Sequence, residues 1–259
     1  MTMQPLNDLR LAVLIDADNI PYSNVKGMLE EIAKYGTPTF KRIYGDWTKP
    51  TVAGWKSILL ENAITPVQQY SYTRGKNATD SAMIIEAMDI LYSGKVDGFC
   101  LVSSDSDFTR LATRLREAGM KVIGIGERKT PSPFIIACDK FIYIEIINTP
   151  VAIQEAGPVK KKTGNPAGIK KKNDNNESQF QTKKVKTLIA SSINDLADEN
   201  GWAYLGDVGN LILKKQPDFD PRNFGFTKLS QFIKSLDFEI DERDSGQNNI
   251  KYIYIRNRK

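Results

Sequence analysis

The side chains best suited to chemistry in this sequence are five aspartates at the ends of predicted strands or at the start of a predicted helix. They are Asp16, Asp18, Asp80, Asp105 and Asp107. The first two follow one apolar run, the last two follow another, and Asp80 opens a long helical pattern. Ligands of an open parallel sheet bind outside the carboxyl ends of its strands, so neighbouring strands would bring these acids to one edge.

Several carboxylates within a few Å repel one another strongly unless a cation lies among them. A donor set made only of oxygen atoms favours Mg²⁺ or Mn²⁺. A competing interpretation makes each aspartate a helix cap, because its carboxylate can accept the free N–H groups of a first turn. Since several aspartates share one predicted edge, the sequence favours a common metal site.

The composition excludes several other kinds of site. The chain has 259 residues, no histidine and two cysteines, which removes zinc fingers and Ser-His-Asp triads. Cys100 and Cys138 stand in apolar segments and are predicted to be buried free thiols, which favours a reducing, cytoplasmic location. No secretory signal and no apolar run of about 20 residues is seen, so no membrane association is expected.

Alternating strands and helices must position the acids. The predicted strands are Leu11–Ile15, Thr39–Tyr44, Ile64–Tyr70, Gly98–Ser103, Lys121–Ile125 and Phe141–Ile146. The predicted helices between them are Ser23–Lys34, Val52–Asn62, Ala78–Tyr92, Phe108–Ala118 and Pro133–Ala137. This alternation predicts an α/β domain over residues 1–150, with a mostly parallel sheet covered by helices on both faces.

A basic, polar segment follows and predicts a disordered linker over residues 151–183. It contains two lysine triplets, Lys160, Lys161, Lys162 and Lys170, Lys171, Lys172. Such runs are most often solvated spacers, and the functional alternative is an arm that contacts phosphates. The net charge of +5 is compatible with a nucleic-acid partner but does not establish one.

The last segment, residues 184–259, predicts a small winged-helix-like domain. Its elements are three helices, Lys184–Glu199, Gly206–Lys214 and Lys228–Leu236, and a hairpin of Phe238–Asp241 with Lys251–Ile255. Trp202, Tyr204 and Phe224 are expected in its core, because aromatic residues at regular helix and strand positions usually pack inward.

Residues 11–147 resemble an NYN domain, a relative of the PIN-like nucleases that include the LabA proteins. The matching stretches are Leu14–Ile20, Lys76–Asp80 and Leu101–Phe108. The resemblance implies a PIN-like parallel sheet and a metal-dependent ribonuclease. It implies metal ligands at Asp16, Asp80 and Asp105, with Asp107 as a further catalytic acid. It also implies phosphate or RNA contacts, which we place at Asn19, Lys76 and Arg110. The six linker lysines are predicted to make such contacts because of their charge.

Residues 184–256 are similar to a LOTUS or OST-HTH domain. The resemblance is carried by Val185–Ile189, Gly201–Asn210, Pro217–Gly225 and Lys228–Ile233, and Phe224 replaces the usual tyrosine of the pattern. Such domains are linked to RNA binding and, in some members, to protein partners. Together the two resemblances imply a Mg²⁺- or Mn²⁺-dependent endoribonuclease with a tethered RNA-binding module. The oligomeric state stays open.

Two other functions remain open at the level of sequence. The first is an RNA-binding regulatory adaptor whose PIN-like domain has lost activity, although every expected acid is present. The second is a phosphatase of the haloacid dehalogenase kind, with Asp16 as the nucleophile and Asp18 as the acid and base. That family has Thr or Val two residues after the second aspartate of its motif. The combination of an NYN-like domain with a LOTUS-like domain is also not typical of such phosphatases. Here Pro21 lies close behind Asp18.

Overall fold

The computed structural model describes residues 8–48, 54–70, 78–147, 174–244 and 251–258. The chain divides into two compact units, one with the elements from Arg10 to Ile147 and one with those from Asp174 to Asn257. Within the described ranges, no helix combines the length and the apolar character that a membrane crossing requires.

A parallel sheet of six strands forms the centre of the first unit. Its strands are β1 (Arg10–Asp16), β2 (Thr37–Gly45), β3 (Thr65–Gln68), β4 (Gly98–Val102), β5 (Lys121–Gly126) and β6 (Lys140–Tyr143). They lie in the order β3-β2-β1-β4-β5-β6, and each neighbouring pair is parallel. The predicted α/β class with a PIN-like parallel sheet is therefore confirmed.

Helices cover both faces of this sheet. They are α1 (Val25–Ile32), α2 (Trp55–Glu61), α3 (Ala78–Tyr92), α4 (Thr109–Glu117), α5 (Ser132–Ala137) and α6 (Ile144–Ile147). Alternate residues of β1 enter two separate cores. Val13 and Ile15 share one core with Met28 of α1, and Leu14 shares the other with Met83 of α3. Because both faces of β1 are covered, its apolar run is uninterrupted.

The last strand of this sheet is shorter than the sequence suggests. The sequence predicts one strand over Phe141–Ile146, whereas β6 ends at Tyr143 and α6 follows at once. Tyr143 makes the final pair with β5, opposite Gly126. Beyond that pair the chain buries Ile144 and Ile146 from a helix. A short apolar run does not distinguish a strand from a buried helix.

The second unit combines helices with a small antiparallel sheet. Its elements are α7 (Asp174–Leu196), β7 (Ala203–Tyr204), α8 (Leu205–Lys215), α9 (Leu229–Ser235), β8 (Phe238–Asp244) and β9 (Lys251–Asn257). The sheet order is β7-β9-β8, and the core includes Ile189, Ile212, Phe232 and Ile255. The predicted small domain of helices and a hairpin is confirmed, and β7 adds a third strand.

The structure corrects the end of the predicted linker. Helix α7 begins at Asp174, whereas the sequence predicts disorder to residue 183 and a helix from about Lys184. Apolar periodicity starts only at Val185, and the residues of the helix before it are polar except for Phe180, so the first turns give no amphipathic signal. The lysine triplets themselves lie outside the described residues.

None of the three aromatic residues expected in the second core is fully buried. Phe224 is partly buried and packs against the core, where it stacks on Phe232 with ring centroids 4.7 Å apart. Tyr204, in contrast, is 38% exposed, and Trp202 is only half-buried. The alternation of β7 explains Tyr204, because Ala203 is buried in the core and the next side chain therefore faces outward.

Candidate metal centre

The sheet topology makes β1 and β4 neighbours and so brings their following residues together. The two strands pair in parallel, with Ile15 opposite Val102 near their carboxyl ends. Asp16 is the last residue of β1, and Asp105 and Asp107 follow β4 by a few residues. The acids therefore reach the same edge of the sheet, where the sequence predicts them.

Asp16 is a buried carboxylate with several hydrogen-bond donors. Its side chain is 1% exposed. Its Oδ2 accepts from Ser103 Oγ at 2.9 Å and from Asn19 Nδ2 at 2.5 Å, and its Oδ1 accepts from the backbone N of Asp18 at 3.1 Å. Burial raises the pKa of Asp16, and these three hydrogen bonds oppose that rise. The donors thus hold a desolvated carboxylate in one orientation.

Ser103 connects the two acidic segments, and the sequence reasoning missed it. The residue is fully buried directly after β4, and its hydroxyl donates to Asp16 while accepting from the backbone N of Asp105 at 3.1 Å. Gly126 of β5 permits this close packing, since a Cβ there would lie 2.6 Å from the carbonyl oxygen of Ser103. The available signal was the pair of serines that precedes Asp105.

Asp105 caps a short helical turn and also belongs to the acidic cluster. Its Oδ1 accepts from the backbone N of Asp107 at 2.9 Å, at the start of the 3-10 turn Ser106–Phe108 that leads into α4. The capping interpretation therefore holds for this residue, and metal ligation by Asp105 stays a prediction. The cap fixes the orientation of the carboxylate that faces its neighbours.

Three carboxylates form the tightest acidic group in the described part of the chain. One oxygen each from Asp80, Asp105 and Asp107 lies within 4.8 Å of the others. Burial and the negative charges of four neighbours raise the pKa of Asp80 to about 6, and burial has the largest effect. The effects of the four charges decrease in the order Asp16, Asp105, Asp107 and Asp18. All five predicted acids therefore interact electrostatically at one place.

Asp16 and Asp18 lie beside this triad rather than within it. Asp16 exerts the largest charge effect of any neighbour on Asp80. Asp18 is exposed, and its Oδ2 accepts from Thr79 Oγ1 at a long 3.5 Å. The sequence named Asp16 as a ligand together with Asp80 and Asp105, whereas the compact group in the structure contains Asp107 in its place. Direct ligation by Asp16 stays a prediction.

The predicted phosphate contacts are only partly within the described residues. The side-chain amide of Asn19 donates a hydrogen bond to Asp16, so it helps to orient that carboxylate. Arg110 is exposed in the first turn of α4, three residues after Asp107. Lys76 and the six linker lysines lie outside the described residues.

A further acid at the end of a neighbouring strand escaped the sequence reasoning. Asp46 follows β2 and is 7% exposed. Its Oδ1 accepts from Thr48 Oγ1 at 2.6 Å and from Gln68 Nε2 at 3.0 Å. These bonds tie the segment after β2 to the end of β3, which indicates a structural role for Asp46.

The family model of the NYN domain matches residues 10–145. This chain belongs to the NYN family. The NYN domain is part of the PIN-like nuclease superfamily, whose members generally use divalent metals. The model of the OST-HTH/LOTUS domain matches residues 176–250, so the predicted fusion of the two domains is confirmed.

Two solved structures are similar to this NYN protein. One is the crystal structure of a protein of unknown function from Vibrio parahaemolyticus RIMD 2210633, with 22% identity over 55% of this chain and 96% of that chain and a TM-score of 0.46. The other is the solution NMR structure of an uncharacterized protein from Nitrosomonas europaea, with 26% identity over 41% of this chain and 91% of that chain and a TM-score of 0.28. No curated protein matches the chain.

Proposed function

We propose that this NYN protein is a metal-dependent endoribonuclease whose OST-HTH/LOTUS domain helps to hold the RNA. The observation that supports this most strongly is the group of three carboxylates, Asp80, Asp105 and Asp107, within 4.8 Å of one another at the carboxyl edge of the sheet. The NYN match supports the nuclease class, and the OST-HTH/LOTUS match supports an RNA partner.

The donor chemistry of the triad fits Mg²⁺ or Mn²⁺. All donors are carboxylate oxygens, which these hard cations prefer. Burial, and then repulsion from the neighbouring carboxylates, raises the pKa of Asp80, and a cation would relieve that repulsion. Asp80, Asp105 and Asp107 would hold the ion, and a bound divalent ion lowers the pKa of a water molecule and stabilises charge on a phosphate.

The other residues of the centre act by charge and position. Asp16 adds a fixed negative charge next to Asp80, and Ser103 and Asn19 keep its carboxylate oriented. Arg110 is exposed near Asp107, where its guanidinium suits a phosphate of the RNA backbone. We assign Lys76 and the linker lysines to the same task from sequence alone.

The structure disfavours the phosphatase alternative. A carboxylate nucleophile must reach a phosphorus atom, but Asp16 is 1% exposed and both of its oxygens accept hydrogen bonds. The adaptor alternative needs a damaged centre, and here all the expected acids are present. We therefore favour an active nuclease in a cytoplasmic setting.

Incubation of the purified chain with labelled RNA in Mg²⁺, Mn²⁺ or EDTA tests the proposal. We expect cleavage in one or both metals and none in EDTA. Asp16→Asn keeps the shape and removes a charge beside Asp80, so it should slow cleavage by about a hundredfold or more. Asp89→Asn, an exposed change on α3, is the matched control and should cleave like the parent. No cleavage in any metal would favour the adaptor.

A further inference from the structure

One face of the small C-terminal sheet presents aromatic rings to solvent. In the register of β8 and β9, Arg243 lies opposite Tyr252 and Asp241 lies opposite Tyr254. On the other side of β9, Tyr204 of β7 pairs with Tyr254. Directly paired residues of antiparallel strands share a face, so these side chains form one surface. The alternate residue Ile255 is fully buried in the core on the opposite face.

Tyr204 contacts the other two tyrosines of this face, and two of the three rings, those of Tyr204 and Tyr252, are accessible. Tyr204 lies 5.8 Å from Tyr252 in an edge-to-face arrangement and 5.8 Å from Tyr254 in a tilted one, measured between ring centroids. Tyr204 is 38% exposed and Tyr252 is 41% exposed. Because these two rings are partly exposed, part of their π surface is available to a ligand.

Two arginines extend the row of planar groups. The guanidinium carbon of Arg243 lies 4.1 Å from the ring centroid of Tyr254 and 5.7 Å from that of Trp202. The guanidinium carbon of Arg256 lies 4.6 Å from the ring centroid of Trp202. The face therefore carries tyrosine rings, guanidinium planes and an indole in continuous contact, which we call the aromatic row (Trp202, Tyr204, Arg243, Tyr252, Tyr254 and Arg256).

The charges of this face nearly cancel. Asp241 accepts from Nε of Arg243 at 2.8 Å, and Glu239 forms an ion pair with Arg256. A ligand of the aromatic row would therefore gain more from stacking than from long-range attraction. Flat, weakly polar π systems suit this surface best, and a nucleobase that is not paired in a helix exposes such a face.

We propose that the aromatic row stacks unpaired bases of RNA, with Tyr204 and Tyr252 as the two accessible rings. The choice of RNA rests on the proposed function, since the same chain carries a nuclease-type centre and an OST-HTH/LOTUS domain. Double-stranded RNA buries the faces of its bases in its own stack, so it would not use this surface. The row therefore gives the protein a preference for single-stranded segments.

Fluorescence anisotropy of the full-length protein in EDTA tests this inference without requiring cleavage. The probes are a labelled single-stranded oligouridine and a blunt RNA duplex of the same length. We expect the double variant Tyr204→Ala/Tyr252→Ala to raise the Kd for the single strand by about tenfold or more, since base–aromatic stacking is lost. The Kd for the duplex should stay within about twofold of the parent value.

Two matched variants separate stacking from other causes. Tyr204→Phe/Tyr252→Phe keeps both rings and should bind the single strand like the parent. Tyr204→Leu/Tyr252→Leu keeps apolar bulk without a π face and should bind as weakly as the alanine variant. Equal loss for the single strand and the duplex, or full affinity in the leucine variant, would overturn the proposal. Unchanged RNA affinity in all three variants would also overturn it.

A second measurement avoids any effect of mutation on folding. Oligouridine that contains 4-thiouridine is irradiated with the unmodified protein, and the crosslinked peptides are identified by mass spectrometry. We expect crosslinks at Tyr204 or Tyr252. If the RNA crosslinks only to other residues of the chain, the proposal is overturned. Both experiments are done in EDTA, so they do not depend on whether the acidic centre is active. If the aromatic row does not bind RNA, the result of the cleavage assay is unaffected.

Discussion

The carboxyl of Asp80 lies among four other aspartates, and burial and their charges raise its pKa to about 6. In the unfolded chain the same group titrates near its ordinary value of 3.8. Between these values the native protein binds more protons than the unfolded chain. The free energy of unfolding contributed by Asp80 is therefore highest at low pH, falls as the pH rises from about 4 to about 6, and stays low above that.

Asp80→Asn should remove this pH dependence in the metal-free protein. At pH 7 we expect the variant to be more stable than the parent by about 1 kcal/mol, after discounting the shift for partial solvent screening. The measurement is urea unfolding in EDTA at pH 4, 5, 6 and 7. Asp89→Asn, exposed on the same helix, is the control and should follow the parent. A parent-like pH profile in Asp80→Asn would contradict the electrostatic account.

Only those residues of the centre whose type alone suggests a metal ligand could be predicted from the sequence. The aspartates stood out because several of them were predicted to share one edge of the sheet. Ser103 did not stand out, because its bridge between Asp16 and the backbone of Asp105 depends on β1 and β4 being neighbours. The phosphate contact that the sequence assigned to Asn19 stays a prediction, and in the structure its amide donates to Asp16.

At the scale of elements, α3 must be held in place for Asp80 to reach the edge of the sheet. Glu86 of α3 accepts from Arg42 at 2.6 Å and from the hydroxyl of Tyr44 at 2.7 Å, and both donors lie on β2. Burial, followed by the charge and hydrogen bond of Glu86, raises the pKa of Tyr44, so its hydroxyl remains a proton donor. The helix that carries Asp80 is thereby tied to the sheet.

Tyr44→Phe should loosen this attachment and destabilise the protein. Tyr44 is fully buried, and loss of a hydrogen bond to a charged group typically costs about 1.5–3 kcal/mol. Urea unfolding measures the change. Tyr92→Phe, at a residue that is 73% exposed, is the control and should change stability by less than about 0.5 kcal/mol. Equal effects of the two substitutions would show that Glu86 does not anchor α3 through Tyr44.

The order of elements in the first unit was predictable because apolar strands alternate with amphipathic helices. Element ends were less predictable where local pattern and tertiary context disagree. β6 stops at Tyr143 because its pairing with β5 ends there, although the apolar run continues. β7 has two residues, too few for a periodic signal, and exists because Tyr204 pairs with Tyr254. The polar start of α7 gives no apolar period at all.

At the scale of the whole molecule, a lysine-rich segment joins the two domains in sequence. Its two triplets lie outside the described residues, so their effect is predicted from composition. Replacing Lys160, Lys161, Lys162, Lys170, Lys171 and Lys172 by serine should weaken RNA binding. It should also flatten the salt dependence by up to about six phosphate contacts, a change of about 4 in the slope of log K against log salt for single-stranded RNA.

The same six positions changed to arginine give the matched control, which should keep the parent's salt slope because the charge is retained. Anisotropy titrations in EDTA at several salt concentrations measure both variants. The cleavage rate at saturating RNA should be unchanged in the serine variant, since the segment supplies none of the carboxylates. If affinity and salt slope are the same in the serine variant and the parent, the triplets are only a solvated spacer.

The central claim is that the carboxylates at the edge of the NYN sheet hold a divalent ion needed to cut RNA internally. The most direct test is the rate at which the parent and Asp105→Asn open a labelled circular RNA, which has no ends. We predict that the parent opens the circle in Mg²⁺ or Mn²⁺ and not in EDTA, and that the folded variant is slower by about a hundredfold or more in the same metal. Equal opening in EDTA, or a parent-like rate in Asp105→Asn, would contradict the claim.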